Sequence, residues 1–157
     1  MLKLGKLADY GTLIMTVLAA EPERLYSAQD LAGRTHVAAP TVSKLLKILT
    51  NYGLIESVRG ARGGYKLARP ATGISVADVI AAIDGPIGLT QCSVHKGDCA
   101  VESSCGVRSN WRLINVAVQQ ALRAVSLADM ARPLRRPGES RDVVLSFFRK
   151  TSVPTAA

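Results

Sequence analysis

A chain of 157 residues, 48% apolar, is long enough to bury one core, and with aromatics at 4% that core is aliphatic. No stretch approaches the ~18 consecutive apolar residues of a membrane span, and the first 30 residues hold no uncharged apolar run of signal-peptide type, so a cytoplasmic protein with no membrane partner is expected. The net charge of +8 is uneven, with ten Lys/Arg and five Asp/Glu in residues 1–70, two and four in 71–110, and eight and three in 111–157, so two basic blocks flank a mildly acidic island.

Such blocks suit a polyanion, although an inert basic surface has the same composition. LKLGKLADYGTLIMTVLAA reads as a first helix. Leu4, Leu7, Gly11, Ile14 and Leu18 recur at three- and four-residue steps and form one face, and Pro22 ends it. In SAQDLAGRT, Ser27 and Asp30 have capping-box spacing and Ala28, Leu31 and Ala32 face inward, which predicts a helix of about two turns. HVAA is a tight turn. Pro40 suits the first turn of the third helix, PTVSKLLKILTNYG, which Gly53 stops. That helix buries Val42, Leu45, Leu46 and Leu49 and shows Thr41, Ser43, Lys44 and Lys47 on its other face.

Hydroxyls and lysines on the second helix of a helix-turn-helix can reach base edges and phosphates in a major groove; a plain helical hairpin with a solvated face shares the pattern. The next segment favours the first reading, although a hairpin needing Gly only for its geometry has the same pattern. LIESV and YKLA are short strands around RGARGG, whose three glycines permit a sharp hairpin. Arg59 and Arg62 flank its tip and can enter a minor groove or hold phosphate. Helix, helix, helix and wing in that order predict a winged helix-turn-helix that binds double-stranded DNA.

ISVADVIAAIDGPI reads as a helix capped by Ser75, packed through Val76, Val79, Ile80 and Ile83, and stopped by Asp84-Gly85-Pro86. A cysteine-bearing loop follows. NWRLINVAVQQALRAVSLADMA is then the longest periodic segment. Trp111, Ile114, Val118, Leu122 and Val125 form one stripe, and Leu113, Val116, Ala117 and Ala121 widen it. A helix so apolar in so small a protein predicts a homodimer, and a two-fold pair reads a palindromic site. The expected fold is mainly α with a small two-stranded wing and a long C-terminal dimerisation helix. Three parts follow: a DNA-binding domain over 1–70; a connecting helix, cysteine loop and dimerisation helix over 71–131; and a basic, partly disordered tail over 132–157.

All three cysteines lie in CSVHKGDCAVESSC, spaced Cys92-x6-Cys99-x5-Cys105. An odd number of thiols in a reducing compartment argues against a disulfide framework and for metal or redox chemistry. Thiolates suit zinc, copper(I) and iron–sulfur clusters. With no Cys-x-x-Cys pair, neither a thioredoxin-like site nor the short zinc spacing is present. His95 can complete a local zinc set with Cys92, Cys99 and Cys105, while the wide spacing in a Gly-containing loop suits a larger iron–sulfur core. Only His36 and His95 exist as bases, and no nucleophile elbow or phosphate-cradling loop is present, so neither an enzyme nor a small-molecule substrate is expected.

KLADYGT, PTVSKLLKIL, RGARGGYKLARP, ISVADVIAAIDGPI and three cysteines before a Trp-containing helix together resemble the Rrf2 family of bacterial winged-helix regulators, of which IscR and NsrR are members. The resemblance runs over about residues 1–132, and its nearest subgroup is the proteobacterial regulator of SUF iron–sulfur assembly. It implies a homodimer, an iron–sulfur cluster (2Fe–2S or 4Fe–4S) on the three cysteines, and affinity for a palindromic operator set by cluster state. The function so implied is repression of cluster-assembly genes. A nitric-oxide or redox-sensing repressor of the same family, and a zinc-stabilised constitutive DNA-binding protein, are the alternatives. The family's ligand histidine, three residues after the last cysteine, is here Arg108, which cannot ligate. Its other arrangement, an aspartate of the first helix given by the partner subunit, is matched by Asp9, with His95 as the second candidate.

Overall fold

Helix α1 (Lys6–Ala20) starts later than the sequence pattern suggests. Leu4 lies outside the helix and is exposed, whereas Gly11, Ile14 and Leu18 of the expected face are buried. The structure, a computed structural model, describes residues 4–60, 62–95, 97 and 99–132. Of the expected tail, residues 133–157 lie outside them.

Helix α2 (Ala28–Thr35) opens with a complete capping box between Ser27 and Asp30. It ends at His36, which sits in the left-handed region at φ 55° and ψ 23°. That conformation turns the chain into α3 (Ala39–Asn51), with Pro40 in its first turn. Val42, Leu45, Leu46 and Leu49 of α3 join Ile14, Met15 and Leu18 of α1 and Leu31 of α2 in one core. Each such side chain, fully buried, contributes about 1.5–3 kcal/mol of transfer free energy.

Strands β1 (Ile55–Val58) and β2 (Gly64–Leu67) pair antiparallel, with Ile55 opposite Leu67 and Val58 opposite Gly64. Tyr26 adds a one-residue third strand, against β2, that was not expected. Its amide donates to the Tyr65 carbonyl at 3.1 Å and its carbonyl accepts from the Tyr65 amide at 2.8 Å. The wing is thereby joined to the junction of α1 and α2. Tyr26 is fully buried; Arg24 and Arg34 lie over its ring, and Arg34 donates to its hydroxyl at 3.0 Å.

Helix α4 (Val76–Asp84) has a capping box of Ser75 with Asp78 and ends at Gly85, φ 88°. It lies close to α1, because a Cβ on Gly11 would collide with Ile83 Cδ1. After the short α5 (Gln91–Val94) comes α6 (Arg108–Ala124). The single helix expected through residue 131 is in fact two. Val125 is extended, and Ser126 with Asp129 caps a new helix, α7 (Leu127–Ala131). The break is a tertiary effect: the Val76 amide donates to the Val125 carbonyl at 2.9 Å and the Leu127 amide to the Ile74 carbonyl at 2.8 Å. Two backbone bonds to the start of α4 replace the lost helical ones, and Leu127 enters the main core.

Candidate nucleic-acid interface and cysteine loop

The outward face of α3 is set by its buried one. With Val42, Leu45, Leu46 and Leu49 inside, Ser43, Lys44, Lys47 and Asn51 are exposed and Thr41 is half-buried. No acidic residue occurs between His36 and Gly53. Among the described residues, Lys44 and Lys47 form no ion pair. The same holds for Arg59 and Arg62, both exposed at the hairpin tip. By contrast, Lys66 pairs with Glu56 at 3.0 Å lower in the wing. Four cations without acidic partners on two adjacent elements form a surface suited to phosphates.

The tip is shaped by close backbone approaches. Gly60 has φ 118°, and a Cβ on Gly63 would collide with the Val58 carbonyl. A Cβ on Gly64 would lie 2.8–3.0 Å from the O, C and N of Tyr26. Two glycines therefore hold the hairpin tight, and the third lets the wing press against Tyr26. Tyr52, the residue that ends α3 ahead of the wing, is exposed; the sequence pattern did not single it out.

The cysteine loop connects α4 to α6. Cys92, Cys99 and Cys105 are free and half-buried. Cys92 lies in α5 with its Sγ 3.3 Å from Thr90 Oγ1. Among the described residues no three His, Cys, Asp or Glu side chains are gathered closely enough to hold a metal ion. Of the expected ligand candidates, His95 is exposed beyond the end of α5. Glu102 accepts from the Gly97 amide at 2.6 Å and pairs with Arg108 Nη2 at 2.5 Å. The loop's entry is tied to α6, where Asn115, the helix's one buried residue, accepts from the Leu89 amide at 3.1 Å. Gln119 donates to the Ile87 carbonyl at 2.7 Å. As donors, three thiols suit a soft metal or an iron–sulfur core; in this conformation the three are not gathered around one point. Glu102, Asn115 and Gln119 were not singled out from the sequence. The one available signal was Asn115, a polar residue four positions after Trp111 on a broadly apolar helix.

Asp9 is exposed on α1, and its carboxylate has no partner among the described residues. The expected dimer stripe divides. Leu122 and Val125 pack against Ala8, Val76 and Ile80 within the protomer. Trp111 and Ile114 are exposed, as are Leu113, at 74%, and Val116, while Val118 is half-buried. The outer half of α6 is thus an uncovered apolar surface. No helix among the described residues is long and apolar enough to cross a membrane.

Residues 4–133 match a family described as Rrf2, iron-dependent transcriptional regulator. The protein rrf2 of Nitratidesulfovibrio vulgaris is 31% identical over 132 residues, covering 83% of this chain and 88% of that one. Among solved structures, CymR, described as the global cysteine regulator of B. subtilis, superposes with a TM-score of 0.68 at 31% identity, covering 83% of this chain and 97% of that one. IscR of T. potens superposes with a TM-score of 0.62 at 32% identity, covering 82% and 85%.

Proposed function

The chain belongs to the Rrf2 family of DNA-binding transcription regulators, which are not enzymes, and from that premise we propose that it is a homodimeric repressor of iron–sulfur assembly genes governed by a cluster on its own thiols. The observation that carries the reading is the tethering of the loop with all three thiols to α6, whose outer half is apolar and uncovered. Cys92, Cys99 and Cys105 would supply three ligands, and Asp9 of the partner subunit the fourth. When bound, the cluster would supply a redox-sensitive cross-link. A carboxylate is a hard, weak ligand beside thiolates, so Asp9 would hold the group less firmly than the three cysteines. Asp9 lies on the helix that packs beside α2 and α3, so its ligation links loop occupancy to the spacing of two recognition helices. Thr41, Ser43, Lys44 and Lys47 contact bases and phosphates of one half-site, and Arg59 and Arg62 the flanking groove.

The test is anaerobic purification followed by a gel shift on the upstream region of a cluster-assembly operon. The reading expects visible absorbance and a shift that changes when the cluster is removed. In the variants, Asp9→Ala loses the cluster and His95→Ala keeps it; the reverse result reassigns the fourth ligand to His95. A second reading, a redox-sensing repressor without a cluster, is favoured by three free thiols that are not gathered into a metal site among the described residues. Colourless protein whose DNA affinity follows thiol oxidation supports it. Colourless protein holding zinc, with constant affinity, supports the constitutive alternative.

A further inference from the structure

The acid that holds the cysteine loop is unusual among the described carboxylates. The Glu102 side chain is only 10% exposed, and both of its oxygens are used, one by Arg108 and one by the Gly97 amide. Arg108 opens α6 and Gly97 is mid-loop, so this one carboxylate staples the centre of the loop to the start of the helix. Cys99 lies between the two hydrogen-bonded positions and Cys105 just before Arg108. Both thiols therefore sit on segments that the staple holds. Arg108 Nε is meanwhile buried with no hydrogen-bond partner. A buried donor left unpaired costs free energy in the stapled state and not in an opened, hydrated one. The arrangement is therefore held by one good ion pair against one built-in defect.

We propose that the Glu102–Arg108 ion pair is a latch that keeps the three thiols apart, and that gathering them around a metal requires it to open. The proposal rests on the reading of Cys92, Cys99 and Cys105 as ligands. It names what sets the loop's resting state: metal affinity is lowered by the free energy needed to unlatch the loop, so the latch sets how much metal or cluster is required to load it.

Two single variants separate a latch from simple electrostatics. Glu102→Gln removes a negative charge near the thiols and Arg108→Gln removes a positive one. Electrostatics alone makes these act in opposite directions on cation binding; opening a latch makes them act in the same direction. The reduced full chain is titrated anaerobically with cadmium ion alone, read by thiolate charge-transfer absorbance, and each cysteine's maleimide labelling rate is followed by mass spectrometry without metal. The latch expects both variants to bind cadmium about fivefold more tightly, the effect of losing one partly screened ion pair. It expects faster labelling of Cys99 and Cys105 in both. The double exchange Glu102→Arg with Arg108→Glu returns both measurements toward the wild type, which a merely misfolded loop does not do. Affinities that move in opposite directions, or labelling rates that do not move, overturn the latch. If no protein gives thiolate absorbance, the ligand reading fails, while the labelling rates still decide whether the latch exists.

Discussion

Replacing Gly64 with Ala tests how the wing is attached. The added methyl group would stand 2.8, 2.9 and 3.0 Å from the carbonyl oxygen, carbonyl carbon and amide nitrogen of Tyr26. Neither side can yield easily. Tyr26 is fully buried, and Gly64 is fixed in register opposite Val58. Relief requires β2 to move away, which gives up the two Tyr26–Tyr65 backbone bonds of 3.1 and 2.8 Å. Two such bonds are worth about 1 kcal/mol each. Residual overpacking adds about 1–3 kcal/mol. The narrower unfolded ensemble of Ala gives back about 0.4–1 kcal/mol. The net is a loss of roughly 3 kcal/mol, or about 6–12 °C in Tm for a chain of this size. Gly73→Ala is the control, since its Cβ meets nothing within 4 Å and its φ is not left-handed; it keeps the unfolded-state gain of about 0.4–1 kcal/mol with no clash against it. Urea denaturation of both variants measures the difference. Equal midpoints for Gly64→Ala and Gly73→Ala would refute the wing's attachment through Tyr26.

Lys44→Ala removes an exposed, unpaired cation, so it leaves stability unchanged, weakens DNA binding, and lowers the slope of log affinity against log salt by about 0.9; an unaltered slope in fluorescence anisotropy removes Lys44 from the interface. Leu113→Asp and Ile114→Asp place a charge on the uncovered half of α6 and shift light-scattering mass from dimer to monomer, with unchanged helical circular dichroism because both sites are exposed in the protomer; a persistent dimer moves the interface elsewhere. Hydrogen bonding by the Tyr26 hydroxyl, then Arg24 and Arg34, holds the Glu21 carboxyl below its ordinary 4.5. A carboxyl lowered on folding stabilises fully above that value and loses its contribution as pH falls through the folded one. The Tm gap between wild type and Glu21→Gln is therefore constant near neutrality and closes below pH 4.5; a gap that widens in acid contradicts the assigned sign.

Short-range chemistry was legible in the residues alone. Ser27 with Asp30, Pro40 at a first turn, and the glycines of RGARGG each act within a few residues, and those elements formed where their signals lie. The faces of α2, α3 and α4 followed from period, because a 3.6-residue repeat names the buried side whatever lies against it. The family likeness was legible for the same reason, being carried by local motifs. Tertiary packing decided the rest. Val125 and Ser126 continue an apolar helical period, yet bonds to Val76 and Ile74 outweigh helix continuation there and split the helix. Tyr26 has no strand around it, and only the return of Tyr65 makes it a one-residue strand of the wing. CSVHKGDCAVESSC shows three thiols, but the loop that carries them is held by Glu102, Arg108 and Asn115, whose partners are fixed only when α6 packs beside the loop. Composition and period determine which groups a segment presents; distances between groups from different segments are set by the packed core, and the proposed sensing chemistry depends on those distances.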